Sequence, residues 1–197
     1  MSSFWKTIWD KKGNSDSEDL LYLDGYEHLD VDFHSSDICE KIIETVGAKP
    51  GQTVLEVGCG AGYLSREFVS EKFKYFGVDY SQPLIDKHKK MFPSHKVSCA
   101  EACKLPFDSH CFDHVFLYGV FQYFPSMSYA FNVISEMQRV SKKSVFLGDL
   151  KETAPREQHL PCEKKNIINL GFHIVDSFHD SDDCYRYNAY MKVGDVV

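Results

Sequence analysis

The sequence predicts a doubly wound α/β fold: a seven-stranded, mostly parallel sheet with helices on both faces and a C-terminal antiparallel hairpin. Short runs rich in valine, isoleucine and aromatic residues alternate with stretches whose apolar residues recur at helical spacing. Parallel strands need crossovers of that length, usually helices. The last two strand-like runs are separated only by the turn "DSDDC", which favours antiparallel pairing of this last pair at one edge of the sheet.

The first helix of the alternating region is predicted over about residues 36–47. Ser36 or Asp37 would accept hydrogen bonds from the free N–H groups of its first turn, and Gly47 would end it. A buried strand follows at 53–57, "TVLEV", and then a glycine-rich turn. The next helix is predicted within "AGYLSREFVSEKF", so the glycines join a strand to a helix.

The remaining elements continue this alternation. A second strand is predicted at 74–80, followed by a helix with Pro83 in its first turn and a short third strand in "HKVSCA". The fourth strand is predicted at 112–120. The later elements are the helix "SYAFNVISEMQRV", the strand "KSVFLGDL", the weak helix "EKKNIINLG" and the two strands "FHIVDSFHD" and "YRYNAYMKV".

Length and composition indicate one globular domain with a small appendage. The chain has 197 residues, of which 43% are hydrophobic and 26% charged, as in ordinary soluble proteins. The polar stretch "KKGNSDSEDL" separates an aromatic N-terminal piece from the rest. We therefore divide the chain into an N-terminal aromatic cap segment, residues 1–35, and a main domain, residues 36–197.

Charge and hydropathy exclude several kinds of partner. The net charge of −7 makes nucleic acid an unfavourable partner, because binding to phosphates needs a basic face. No apolar stretch reaches the roughly 18 residues of a transmembrane helix. Lys6 and Asp10 interrupt the apolar N-terminal residues before a signal-peptide core forms, so we expect a cytoplasmic protein without membrane partners.

The cysteines predict neither a disulfide framework nor a metal site. There are seven, an odd number, without the paired pattern of a small secreted domain. Three of them lie near two histidines, but no CxxC pair exists and the spacing suits no common zinc module. We expect reduced thiols and no metal; the residues considered are Cys99, Cys103, Cys111, His110 and His114.

The glycine-rich turn predicts a ligand site. Gly58, Gly60 and Gly62 follow the first strand, where an open α/β sheet binds its ligands, and they permit positive φ and close approach to the backbone. N–H groups at the start of the next helix are expected to be free for polar ligand atoms. Asp79 ends the second strand, where a carboxylate can accept from ribose hydroxyls. The dinucleotide fingerprint GxGxxG is matched poorly, since Tyr63 stands at the third glycine position.

The form Glu56-x-Gly58-x-Gly60-x-Gly62 resembles the first motif of class I S-adenosylmethionine-dependent methyltransferases. "GVDYS" is similar to that family's second motif, and "AEACKLPFDSHCFDHVFLYGVFQYF" to its third and fourth. The terminal hairpin is similar to its sixth and seventh strands. The resemblance covers residues 36–197 and implies a Rossmann-like methyltransferase domain whose cofactor is S-adenosyl-L-methionine.

The resemblance also implies roles for individual residues. Glu56 and the glycine turn would hold the methionine end of the cofactor, Asp79 the ribose, and Tyr80 the adenine. Glu101 would accept from the adenine amino group beside the backbone N–H of Ala102. The complete predicted cofactor set is Glu56, Gly58, Cys59, Gly60, Gly62, Asp79, Tyr80, Glu101, Ala102 and Tyr118.

The methyl acceptor is predicted to be a small molecule with an oxygen or nitrogen nucleophile. The fourth strand ends in "LYGVFQYF", without the Asn/Asp-Pro-Pro-aromatic signature of enzymes that methylate base amines or glutamine amides. It also lacks the aspartate of magnesium-dependent catechol-type enzymes. The sequence is most similar to the small-molecule group, in which this segment borders the methyl-transfer channel, so Tyr118, Gln122 and Tyr123 are candidate lining residues.

The cap segment is expected to cover the acceptor. Only about 20 residues separate the fifth and sixth strands, too few for a large inserted lid. His28, His34 and Tyr118 are candidate catalytic residues, the histidines as proton acceptors. The acidic residues Glu27, Asp30 and Asp32 would suit a cationic acceptor such as an amine; as elsewhere in the cap segment, packing alone is an alternative role.

Other functions remain open at this point. The acceptor could be a protein or RNA, or the chain could be a non-catalytic partner subunit that binds S-adenosylmethionine. Methylation of a thiol or an arsenical through Cys99, Cys103 or Cys111 is a further alternative. The oligomeric state is not predicted.

Overall fold

The computed structural model describes residues 3–26, 34–154, 156–178 and 185–194. The helices are α1 (Ser3–Gly13), α2 (Leu20–Leu23), α3 (Ser35–Val46), α4 (Ser65–Ser70), α5 (Gln82–Met91), α6 (Met127–Val140) and α7 (Lys164–Ile168), with a 3₁₀ turn at Phe121–Tyr123. The strands are β1 (Thr53–Val57), β2 (Lys74–Asp79), β3 (Lys96–Cys99), β4 (Phe112–Tyr118), β5 (Ser141–Lys151), β6 (His173–Asp176) and β7 (Arg186–Lys192).

The seven strands form one sheet in the order β3-β2-β1-β4-β5-β7-β6. The strands β3, β2, β1, β4 and β5 are parallel to one another, and β7 is antiparallel to both β5 and β6. The order reverses at β1, whose neighbours are β2 and β4. This confirms the doubly wound, mostly parallel sheet with a C-terminal hairpin, and it places a ligand crevice beyond the ends of β1 and β4.

Two apolar cores lie on opposite faces of the sheet. Successive residues of β1 alternate between them, since Val54 belongs to one core and Leu55 to the other. The Leu55 core includes the buried faces of α6 and α7. The Val54 core includes those of α3, α4 and α5, and it also takes in Trp5 and Trp9 of α1. The N-terminal helix is therefore part of one helical layer.

Helix α1 is fixed to α5 and to the segment after β5. Ser81 Oγ donates to Asp10 Oδ1 at 2.7 Å, and Trp5 Nε1 donates to the carbonyl oxygen of Gln158 at 3.1 Å. A Cβ on Gly13 would lie 2.6 Å from the backbone of Leu84, so the glycine allows the two helices to approach closely.

The structure corrects some details of the predicted elements. Helix α3 begins at Ser35 with His34 at the N-cap position and no side-chain cap, so the predicted capping by Ser36 or Asp37 is wrong: both residues lie inside the first turn, where the Ser36 hydroxyl donates to Asp37 at 3.2 Å. Its predicted end is confirmed, with Gly47 at φ 66°. The helix after the glycine turn is confined to Ser65–Ser70, since the turn itself uses the preceding residues. Most predicted strands extend past the observed ends by one or more residues.

Candidate functional site

The glycine turn follows β1 and is fastened to the neighbouring strand. The N–H groups of Gly58 and Cys59 both donate to the carbonyl oxygen of Val78, at 2.7 and 3.0 Å. Gly58, Gly60 and Gly62 have φ values of 83°, 47° and 112°, in the region that favours glycine. The turn thus crosses the end of β2 in a backbone conformation that a residue with a side chain could adopt only with strain.

The protein's own Asp24 approaches this turn most closely. Its carboxylate accepts from three successive N–H groups, those of Ala61 at 2.6 Å, Gly62 at 3.1 Å and Tyr63 at 2.8 Å. A Cβ on Gly60 would clash with the same carboxylate. The expectation that these N–H groups are free for a ligand is therefore wrong, because the Asp24 carboxylate, from the turn after α2, accepts from all three.

Histidine and serine side chains support the turn from behind. His88 is buried, and its Nδ1 lies 3.0 Å from the Gly60 carbonyl oxygen, to which it donates in the corresponding tautomer. Ser65 Oγ donates to the Gly62 carbonyl oxygen at 3.0 Å and also contacts His88 and His95. Burial lowers the pKa of His88 to about 4, so this support is uncharged at neutral pH.

Asp79 and Glu56 bring two more carboxylates to the turn. Asp79 Oδ2 accepts from the N–H of Gly60 at 3.2 Å, and Oδ1 accepts from that of Ser81 at 2.8 Å. Glu56 Oε2 accepts from the hydroxyl of Tyr75 at 2.5 Å. Each carboxylate retains lone pairs beyond these bonds and lies at the C-terminal end of a parallel strand, the position expected for ligand contacts.

Burial raises the pKa values of all three carboxyl groups. The pKa rises to about 8 for Glu56 and to about 7 for Asp24, with the other carboxylates adding repulsion. For Asp79 burial raises the pKa to about 6, although the N–H groups of Ser81 and Gly60 oppose the rise. Burial disfavours the charged forms, and no lysine or arginine belongs to the described lining of the cavity to offset them.

These groups border a cavity, partly open to solvent, at the C-terminal ends of β1, β2 and β4. Its remaining walls are mainly aromatic and come from α1, the turn after α2 and the segment after β4. Trp9 and Tyr123 pack edge to face with ring centroids 5.1 Å apart, and Tyr26 and Tyr63 lie 4.7 Å apart. The aromatic and carboxylate lining residues are Trp9, Asp24, Tyr26, Glu56, Tyr63, Asp79, Tyr80, Tyr118, Tyr123 and Phe124.

Most of the predicted cofactor residues meet at this cavity. The lining includes Glu56, Gly58, Cys59, Gly60, Asp79, Tyr80, Ala102 and Tyr118. Gly62 lies in the same turn but donates to Asp24. Glu101 is exposed outside the lining, and its Oε2 accepts from the hydroxyl of Tyr129 at 2.9 Å.

The predicted catalytic residues are not brought together in the described part of the chain. Tyr118 lines the cavity. His34 is exposed at the start of α3, outside that lining. His28 and the acidic residues Glu27, Asp30 and Asp32 lie outside the described residues.

Sequence reasoning missed Asp24, whereas Tyr26 belongs to the aromatic cap segment that was expected to cover the acceptor. Asp24 is 37 residues before the first N–H group it binds, and nothing local marks it as a partner of the glycine turn. The Tyr26 hydroxyl lies 3.0 Å from the position that a Cβ on Gly119 would occupy. This close approach, together with a φ of 69°, explains why a glycine follows β4. A glycine following each of two adjacent strands is the one signal that points toward such close approaches.

Across residues 3–26, 34–154, 156–178 and 185–194, no group of three or more histidine, cysteine or acidic side chains is placed to hold a metal ion. In those same ranges no helix has the length and apolarity required to cross a bilayer. The cavity at the glycine turn is therefore the site that the described residues support.

Comparison with known proteins agrees with this geometry. Residues 55–147 match the family described as "Methyltransferase domain". A nonribosomal peptide synthetase of Emericella nidulans is 29% identical over 62% of the chain, and a demethylmenaquinone methyltransferase of Renibacterium salmoninarum is 28% identical over 51%. The chain spans 5% of the synthetase's length and 41% of the quinone enzyme's.

Solved structures agree on the fold. Magnesium protoporphyrin IX methyltransferase from Synechocystis, crystallised with S-adenosylhomocysteine, superposes with a TM-score of 0.65 at 15% identity, covering 96% of this chain and 94% of its own. The sheet and the matched family define a Rossmann-like methyltransferase domain. The family match over residues 55–147 and the shared fold agree with the resemblance of the motifs to class I S-adenosylmethionine-dependent methyltransferases.

Proposed function

We propose that this chain transfers the methyl group of S-adenosyl-L-methionine to an oxygen or nitrogen atom of a small-molecule acceptor. One observation carries the proposal: the cavity at the ends of β1, β2 and β4 has carboxylates and glycines on one side and an aromatic wall on the other. The first side suits a nucleoside linked to an amino acid. The second suits an acceptor that must be shielded from water.

The residues present fit the cofactor. Asp79 keeps acceptor capacity for both ribose hydroxyls after its two backbone bonds. Tyr80 lies beside it in the lining, and its buried hydroxyl has no hydrogen-bond partner among the described residues, so a bound ligand would satisfy it. Glu56 and the glycine turn lie nearer β4, where the methionine part would be held.

Methyl transfer from a sulfonium requires alignment of the acceptor with the methyl group more than it requires an acid or a base. When bound, the cofactor would supply a sulfonium methyl group, whose carbon an acceptor lone pair would attack in line with the carbon–sulfur bond so that the thioether leaves. Trp9, Tyr123 and their neighbours exclude water, and the cavity walls orient the acceptor. Burial holds the pKa of Tyr118 well above its usual range, so its hydroxyl positions a polar atom and does not serve as a base at neutral pH.

The N-terminal segment that covers the cavity is compatible with a small acceptor. We propose residues 1–35 as the cap over the site, supported by the described residues 3–26, in which Trp9, Asp24 and Tyr26 reach the lining. The quinone and porphyrin enzymes among its relatives act on small molecules, which favours this class. The predicted preference for an amine stays a prediction, as does the cytoplasmic location.

The proposal is tested by isothermal titration with S-adenosylmethionine and S-adenosylhomocysteine. We expect saturable binding that Asp79→Asn weakens about tenfold or more, because a charged hydrogen-bond partner is lost. Asp86→Asn, at an exposed position on α5, is the matched control and should leave affinity unchanged. No binding to the unsubstituted protein would reject the proposal.

Turnover then separates the alternatives. Radiolabelled methyl transfer to a panel of small phenols, quinols and amines would support the small-molecule assignment. Transfer only to protein or RNA would replace it with the macromolecular one. Tight cofactor binding without transfer to any acceptor would favour a non-catalytic partner subunit.

A further inference from the structure

Asp24 differs from the other two carboxylates of the cavity in how it is bound. Its two oxygens accept from three backbone N–H groups of residues 61–63. Its own N–H donates to the carbonyl oxygen of Leu20, which fixes the residue at the end of α2. The bonding directions of the side chain are thus largely used within the protein, and what remains to act on a ligand is its charge.

The charge balance of the cavity is unusual. Asp24, Glu56 and Asp79 all belong to the lining, whereas no lysine or arginine does within the part of the chain described. The carboxylates repel one another, and burial raises their pKa values into or near the neutral range. A ligand with positive charge relieves that repulsion, whereas a neutral ligand of the same shape does not.

We propose that Asp24 determines the selectivity of this cavity for the positively charged cofactor S-adenosylmethionine over its uncharged-sulfur product, S-adenosylhomocysteine. The inference rests on the proposed function and deepens it. The two ligands share the adenosine and the amino acid and differ by one methyl group and one unit of positive charge on sulfur. Contacts to ribose or adenine therefore cannot distinguish them, but a fixed carboxylate can.

The selectivity would act at product release. In the transfer, the acceptor's lone pair forms a bond to the methyl carbon, and the carbon–sulfur electron pair returns to sulfur as that bond breaks. The sulfur loses its positive charge in this step. The carboxylates that favoured the cofactor then lose their attraction for the bound product, and product inhibition is weakened.

The test compares dissociation constants of the two ligands by isothermal titration at about pH 8, where the pKa of about 7 leaves Asp24 ionised. In Asp24→Asn the ratio of the S-adenosylhomocysteine constant to the S-adenosylmethionine constant should fall by about tenfold or more. That is the effect of one unit charge within about 12 Å at an effective dielectric constant of about 20. Sinefungin, which carries an ammonium group in place of the sulfonium, should follow S-adenosylmethionine.

Controls separate charge from structure. Asp16→Asn removes the same charge from an exposed position in the same segment and should leave the ratio unchanged. If loss of Asp24 only loosens the cap, both ligands weaken equally and the ratio stays constant, which would overturn the proposal. Asp24→Ser keeps one acceptor for the turn and replaces the Asn variant if circular dichroism shows that the latter is unfolded. Absence of binding to the unsubstituted protein would reject the proposed function itself.

Discussion

Replacing Glu56 with glutamine should make the stability of the ligand-free protein less dependent on pH. Glu56 lies near the C-terminal end of β1 with only 4% of its surface exposed, and burial raises its pKa from 4.5 to about 8. The folded protein therefore keeps a proton that the unfolded chain releases. Glutamine has nearly the same shape, can still accept from the Tyr75 hydroxyl, and does not titrate.

The sign and size follow from proton linkage. Because the folded-state pKa is raised, the stabilisation from this group is complete below about pH 4.5 and is lost as the pH rises toward 8. The loss is about 1.4 kcal/mol per pH unit within that window. Between about pH 5.5 and 7.5, Glu56→Gln should therefore gain about 2.5 kcal/mol of unfolding free energy relative to the unsubstituted protein.

Urea denaturation followed by tryptophan fluorescence at the two pH values measures this difference. Glu40→Gln, exposed on α3, is the matched control and should run parallel to the unsubstituted protein. If the Glu56→Gln curve were also parallel, Glu56 would be ionised in the folded state, and the account of a cavity crowded with buried carboxyl groups would be wrong.

Three further substitutions test other parts of the site. Gly60→Ala should weaken cofactor binding by about tenfold or more and reduce the free energy of unfolding by about 1–2 kcal/mol, because the positive φ and a clash of the new Cβ with the Asp24 carboxylate both destabilise the turn. Gly171→Ala is the control: Gly171 has a φ of 86° but open space around it, so urea titration should show only the loss of stability. Trp9→Ala should reduce the unfolding free energy by about 3 kcal/mol and speed cofactor dissociation in stopped-flow, and a loss under about 1 kcal/mol would contradict its role in the core. Arg186→Met should reduce stability by about 3 kcal/mol in urea, because the buried Asp149 loses a partner at 2.7 Å; an unchanged midpoint would show that Lys151 suffices.

The sheet and the glycine turn could be predicted because their signals are local. Each strand is a short apolar run, each crossover has helical periodicity, and the glycines stand directly after a strand. Asp79 could be placed for the same reason, since the C-terminal ends of neighbouring parallel strands meet at one edge. Residues that stand at the end of a predicted strand could therefore be placed from the sequence alone.

The closure of the site could not be predicted because it depends on side chains from a distant segment. Asp24 reaches the turn from a segment that follows α1, and α1 is held on α5 by particular bonds such as that from Ser81 to Asp10. Likewise Ser36 and Asp37 do not cap α3 as predicted, and the adjacent Ser35 bonds Glu67, a residue 32 positions away. Helix and strand propensities do not predict such long-range contacts, because tertiary packing determines them.

The place of β7 in the sheet has a consequence for how the chain is completed during synthesis. In the described sheet β6 pairs only with β7, and β7 also covers β5. Residues 173–176 therefore leave the ribosome with no strand to pair with until residues 186–192 follow them. Until then one edge of β5 has an uncovered row of N–H and C=O groups, so we expect a chain truncated before β7 to aggregate.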